Sequence, residues 1–180
     1  MKNITSRVQH VLVAALVMAM IGLSGCKKNG GTADGEGEKF LNCKINGKYY
    51  EFNSGVNAND KPSTDTVHFV VIGGWEKPDK IKGFGIGLTL PEGAKEATYT
   101  ATGPTDLELN GQYYIQEMKD GKIMNTIVYT GGQGEGTNFK LTITSLTEWG
   151  VKGTFSGKLE LDGGDDVVNV TEGKFSAPYN

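Results

Sequence analysis

The sequence predicts an all-β chain: a single antiparallel β-sandwich, with a barrel as second choice. Three observations carry that prediction. Apolar and polar residues alternate through several short segments, as in strands with one face in a core. Asn-Gly, Gly-Gly and Pro-Glu-Gly stretches punctuate those segments at short intervals. Glycine supplies 27 of 180 residues, about twice the usual ~7 %, which suits a chain of many turns.

The first 25 residues stand apart. MKNITSRVQH carries Lys2 and Arg7 and no acid, and VLVAALVMAMIGL (11–23) follows without a charge. A basic start followed by an apolar run is the layout of an export signal. As a helix the run would rise ~20 Å, short of the ~30 Å hydrocarbon core that a permanent span must cross. The run ends at Leu23-Ser24-Gly25-Cys26, which resembles the lipobox of bacterial lipoproteins. The resemblance implies that the Cys26 sulfur receives a diacylglycerol, that the signal (1–25) is cut just before it, and that the new amine is acylated. Each buried CH₂ contributes ~0.8 kcal/mol and one acyl chain binds only reversibly, so several chains on one residue make a durable anchor. Lys27 and Lys28 then fall at the level of anionic headgroups. No aspartate follows Cys26, which by the same resemblance favours passage to the outer membrane.

Residues 26–39 read as the lipidated cysteine and a tether. KKNGGTADGEGEK has four glycines and one small apolar residue, too little to offset the entropy of ordering. Asp34, Glu36 and Glu38 read as a solvated spacer, not a metal cluster. Removing residues 1–25 takes away two basic residues and no acid, which moves the formal charge from −3 to −5. With no basic stripe, nucleic acid is not an expected partner. Lipidation would consume Cys26 and leave Cys43 alone, so no internal disulfide is expected, and Cys43 reads as a buried inert thiol.

The folded part, 40–180, opens with FLNCKINGKYYEF (40–52). Asn46-Gly47 predicts a type I′ hairpin turn, pairing Ile45 with Lys48 and Cys43 with Tyr50. That register collects Leu41, Cys43, Ile45, Tyr50 and Phe52 on one face. DTVHFVVIGG (65–74) is a second strand. KGFGIGLTL (82–90) alternates Phe84, Ile86, Leu88 and Leu90 with Gly83, Gly85, Gly87 and Thr89. A turn at Pro91-Glu92-Gly93 precedes a short strand over 97–101. Asn110-Gly111 in LELNGQYYI repeats the Asn-Gly signal and predicts another hairpin turn. Phe139, Leu141 and Ile143 form the next apolar face. Val151, Phe155, Leu159 and Leu161 form another. Gly163-Gly164 closes a hairpin that sets Leu159 against Val168 and Gly157 against Val170. The apolar phase then switches parity between Val170 and Phe175, which predicts a one-residue bulge near Gly173. Eight to ten strands are expected.

This layout resembles a group of small uncharacterised lipoproteins of Bacteroidetes-type Gram-negative bacteria. The likeness lies in the lipobox and tether, "CKINGKYYEF", "LTLPEGAKEATYT", "VKGTFSGKLEL" and "VNVTEGKFSAPY". It implies an exported all-β domain and supplies no catalytic residues.

Candidate chemistry is sparse. GFGIG lies within an alternating strand with no helix after it, so it is not a phosphate loop; a glycine-lined face instead lets a backbone or a covering side chain approach closely. His68 is the one histidine after the signal, and no Gly-x-Ser-x-Gly elbow accompanies it. Asp162, Asp165 and Asp166 flank two glycines without the ligand spacing of a calcium loop. Trp75 and Trp149 fall at strand ends beside glutamate. Each either caps an open end of the core or offers an aromatic face to a ligand such as a sugar ring. The expected function is a lipid-anchored, non-enzymatic binding or accessory module of the cell envelope, for glycan or protein, needing no cofactor or metal. The alternative is a carboxylate-dependent hydrolase of an envelope or extracellular polymer. Lipid-anchored placement at the outer membrane is expected, on either its periplasmic or its surface face.

Overall fold

The computed structural model describes residues 37–59, 69–104 and 106–180. The expected export signal (1–25), Cys26 and His68 lie outside the described residues. Among the described residues there is no helix. Eleven strands follow in order: β1 (Phe40–Ile45), β2 (Lys48–Glu51), β3 (Ser54–Asn59), β4 (Phe69–Trp75), β5 (Lys82–Thr89), β6 (Thr98–Ala101), β7 (Glu108–Lys119), β8 (Lys122–Gly131), β9 (Asn138–Leu146), β10 (Gly150–Leu161) and β11 (Val167–Pro178). The all-β expectation holds. The count exceeds eight to ten partly because β3, SGVNAN, is a strand whose only apolar side chains are Val56 and Ala58. That is too little alternation to register in sequence.

All strand pairs are antiparallel, and the main path runs β2-β1-β11-β10-β8-β7-β5-β4-β3, with β9 and β6 branching from β10. β10 serves two layers. Its residues 151–158 pair with β9, whereas Glu160 and Leu161 pair with β8. One layer is therefore β6-β9-β10-β11-β1-β2 and the other β3-β4-β5-β7-β8, giving a sandwich-like fold. The path is open, because its ends, β2 and β3, do not pair. A single parallel bridge, Ala58 to Tyr179, and the Asn180 N–H to Ala58 carbonyl bond tie β3 to the end of β11.

The inward faces meet in an aromatic chain. Tyr129 stacks on Tyr113 (6.1 Å between centroids), Tyr113 contacts Phe52 (6.1 Å), and Phe52 contacts Phe84 (5.8 Å). Phe84 of β5 meets Phe155 of β10 at 5.0 Å, and Phe155 touches Phe139 and Phe175. Phe52, Phe84, Phe139 and Phe175 are all at most 2 % exposed. At ~1.5–3 kcal/mol for each fully buried large apolar side chain, these rings are a main source of stability.

Local turn chemistry explains most of the register. Asn46 (φ 49°) and Gly47 (φ 80°) form the expected two-residue turn, and Cys43 faces Tyr50 while Ile45 faces Lys48. Leu41, Cys43 and Ile45 are buried, while Tyr49 is 54 % exposed. Burial pushes the Cys43 thiol up to about 12, as suits an inert core residue. Leu159 faces Val168 and Gly157 faces Val170, as the Gly163-Gly164 hairpin predicts. The parity switch is a bulge at Thr171-Glu172, opposite the single residue Ser156 on β10. Glu172 takes φ 54°, and its carboxylate holds Lys44 at 2.7 Å.

One expectation is overturned. Asn110-Gly111 is not a turn; it lies inside the twelve-residue strand β7. Gly111 faces Gly131 on β8 and Ile86 on β5. Its missing side chain is what matters: a Cβ there would overlap the ring of Phe139. The turn falls ten residues later, at Asp120 (φ 51°) and Gly121 (φ 73°).

Candidate functional site

The outer face of β4-β5-β7 is built from the glycines of GFGIG and their neighbours. Because Phe84, Ile86 and Leu88 point into the core, Gly83, Gly85 and Gly87 must point out. Across the sheet, Val71, Gly87 and Asn110 form one row, Gly73, Gly85 and Gln112 the next, and Trp75, Gly83 and Tyr114 a third. Asn59 and Asn57 of β3 continue the first two rows. The result is a shallow groove of about 580 Å³ lined by Val71, Gly85, Gly87, Asn110, Gln112 and Gln133.

Gly85 is the open floor. A Cβ there would meet nothing nearer than the Ile72 carbonyl at 3.9 Å, and Gly73 is equally free. The other two glycines are covered by side chains: the Tyr114 ring lies over Gly83, and the Asn110 amide leans over Gly87. Gln133 donates from Nε2 to the carbonyls of Leu107 (2.6 Å) and Leu109 (3.3 Å). That fixes its amide and leaves its carbonyl oxygen as an acceptor. The groove thus presents amides, the Thr89 hydroxyl and the Glu108 carboxylate along its walls and bare backbone along its floor.

Trp75 stands in the row that closes one end of this face. Its ring packs over Gly55, which has φ 65° and no side chain to obstruct it. Lys80 Nζ sits 4.4 Å from the ring centroid. Burial raises the Tyr114 hydroxyl pKa, and a hydrogen bond with Trp75 offsets part of that rise. An indole has only its N–H to give, so Trp75 is the donor. The two aromatics are neighbours across Gly83 in one row of the sheet. A ligand stacking on the indole must displace Lys80, which costs ~0.5–1 kcal/mol at an exposed site.

Trp149 belongs elsewhere. It lies between β9 and β10, with Lys152 Nζ 5.4 Å from its ring. Its carbonyl accepts the Tyr179 N–H at 3.0 Å. Tyr179 bridges to Ala58, whereas Trp75 pairs with Ser54. The two tryptophans are therefore tied to positions four residues apart on β3, ~13 Å along the strand. They do not share a site.

In the acidic loop, Asp166 accepts hydrogen bonds from the Val167 N–H (2.9 Å) and the Tyr129 hydroxyl (2.8 Å). Both its oxygens thus serve the hairpin. Among the described residues, no group of three or more His, Cys, Asp or Glu side chains is placed to hold a metal ion.

Tyr114, Asn110 and Gln112 escaped the sequence reading. The alternation of LELNGQYYI puts all three on one face, but an Asn-Gly read as a turn breaks that alternation. No protein-family model matches the chain, and no curated protein or solved structure matches it.

Proposed function

We propose that the chain is a lipid-anchored lipoprotein of the cell envelope, held through Cys26 at the outer membrane. Its all-β domain binds glycan without catalysing a reaction. Four residues, Leu23-Ser24-Gly25-Cys26 behind an apolar run, support the anchor. One observation carries the ligand class: a glycine-floored groove walled largely by the amides of Asn110, Gln112 and Gln133, with Trp75 and Tyr114 in the next row of the same sheet face. Sugar hydroxyls donate and accept at once, as Asn and Gln amides do. A floor without side chains lets a ring approach the sheet, and an indole offers it an apolar face.

The test is titration of the full chain, purified in detergent, with a panel of neutral oligosaccharides. Gly85→Val is the sharpest variant, because it fills the groove with a residue that strands favour. Binding should fall at least tenfold with the thermal midpoint unchanged or raised. Trp75→Ala should weaken the same ligand, and Trp149→Ala should not. A ligand bound equally well by Gly85→Val and Trp75→Ala would place the site elsewhere. The anchor is tested separately: Cys26→Ser should abolish palmitate labelling and leave an uncut precursor.

A further inference from the structure

We propose that the opposite layer carries a second, independent site, for an acidic saccharide bearing carboxylate or phosphate-ester groups. The chain has a net charge of −3, yet the outer face of β9-β10-β11-β1 gathers Lys140, Lys152, Lys174 and Lys44. Glu172 neutralises Lys44, and Lys152 lies over Trp149. Lys140 and Lys174 belong to no ion pair among the described residues. They flank a groove of about 570 Å³, also lined by Tyr49 and by the Glu172 carboxylate that Lys44 pairs, where the Thr171-Glu172 bulge shifts the β10–β11 register.

The floor between the two lysines is hydroxylic. Lys140 faces Ser156, and Thr142 faces Thr154, which in turn faces Lys174. Asn42 faces Lys174 from β1 and adds an amide. A smaller adjoining cavity of about 290 Å³ shares Thr154 and Lys174 and reaches Ser176. The Ser176 hydroxyl is buried, at 2 % exposure, and has no hydrogen-bond partner.

The spacing favours a saccharide over a small ion. Lys140 and Lys174 are two strands and two residues apart, ~12 Å between Cα atoms. Strand side chains stand roughly perpendicular to the sheet, so the two ammoniums present separate charges instead of closing on one anion. Between them lie donors and acceptors suited to ring hydroxyls. A chain with anionic groups at intervals meets both lysines and the floor together.

The experiment is titration of the full chain in detergent with oligogalacturonate, a phosphomannan oligosaccharide and a neutral galacto-oligosaccharide, at low and high salt. At least one acidic probe should bind at low salt, weaken severalfold at 0.5 M salt, and bind far better than the neutral one. Lys140→Gln and Lys174→Gln should each weaken it about tenfold, the loss of one charge-assisted contact. Gly85→Val and Lys119→Gln should leave it unchanged, which separates this site from the glycine groove. Three results would overturn the proposal: no binding of either acidic probe; binding indifferent to both lysine variants; or lysine-dependent binding of phosphatidylglycerol vesicles with none to either saccharide.

Discussion

The ring of Phe139 on β9 occupies the space that a β-carbon on residue 111 of β7 would need. The two layers close on each other at that point, with a glycine on one side and a phenyl ring on the other. A dipeptide that reads as a turn is thus a packing device. Gly111→Ala should destabilise the fold by about 2–3 kcal/mol, since neither Phe139 nor the strand has room to yield. Gly111→Asn should be at least as damaging. At a real left-handed turn position asparagine is tolerated, so Gly47→Asn, where nothing lies within 4 Å, should cost under about 1 kcal/mol. Urea midpoints of the three variants, at constant m-value, check the contrast.

Cys43 sets a term in the alkaline stability of the domain. Its pKa rises from 9.0 to about 12 on folding, because burial disfavours the thiolate. The unfolded chain therefore loses this proton first. The contribution is fully present below pH 9 and is lost as pH climbs from about 9 to 12, at no more than about 1.4 kcal/mol per pH unit. Cys43→Ala should show a shallower fall over that range. Iodoacetamide should label native Cys43 only at the rate of unfolding.

Glu172 sits at φ 54° in the bulge and pairs with Lys44 while remaining 64 % exposed. An exposed pair contributes ~0–1 kcal/mol, and a left-handed non-glycine residue costs ~1–2 kcal/mol. Glu172→Gly should therefore be neutral or stabilising by up to about 1 kcal/mol. Glu172→Val should destabilise, because a β-branched residue fits that backbone poorly. Thermal melts of both variants decide it.

The β7–β8 hairpin outruns the sheet. β7 pairs with β5 only up to Ile115, and β8 meets β10 only at Tyr129 and Thr130. Residues 117–126 are all exposed, with Met124 at 65 % and Ile123 at 54 %. A two-stranded ribbon without a core is marginal by itself. Amides of 117–126 should exchange with solvent faster than those of any other paired segment, and mild peroxide should oxidise Met118 and Met124 with little change in the melting midpoint.

Local signals were legible wherever turn chemistry and alternation agreed. Asn46-Gly47 yielded the observed register because a two-residue loop leaves strands one way to pair; the expected pairing of Leu159 with Val168 also holds, although there the loop is longer and its turn spans Leu161–Gly164. The parity switch after Val170 announced the bulge, since side chains cannot change face without an extra residue. Trp75 was visible as an aromatic at a strand end. Its partnership with Tyr114 was not, because Gly83 and Tyr114 meet only through the β5–β7 ladder.

The sequence alone determined the class of structure: alternation, turn dipeptides and a glycine-rich composition act over a few residues and need no distant partner. The tertiary structure decided what each glycine is for. Gly111 receives a phenyl ring, Gly83 a phenol, Gly55 an indole, and Gly85 is left open as a groove floor. Those assignments depend on which strands become neighbours across the chain, and contacts between residues far apart in sequence leave no local periodicity to read.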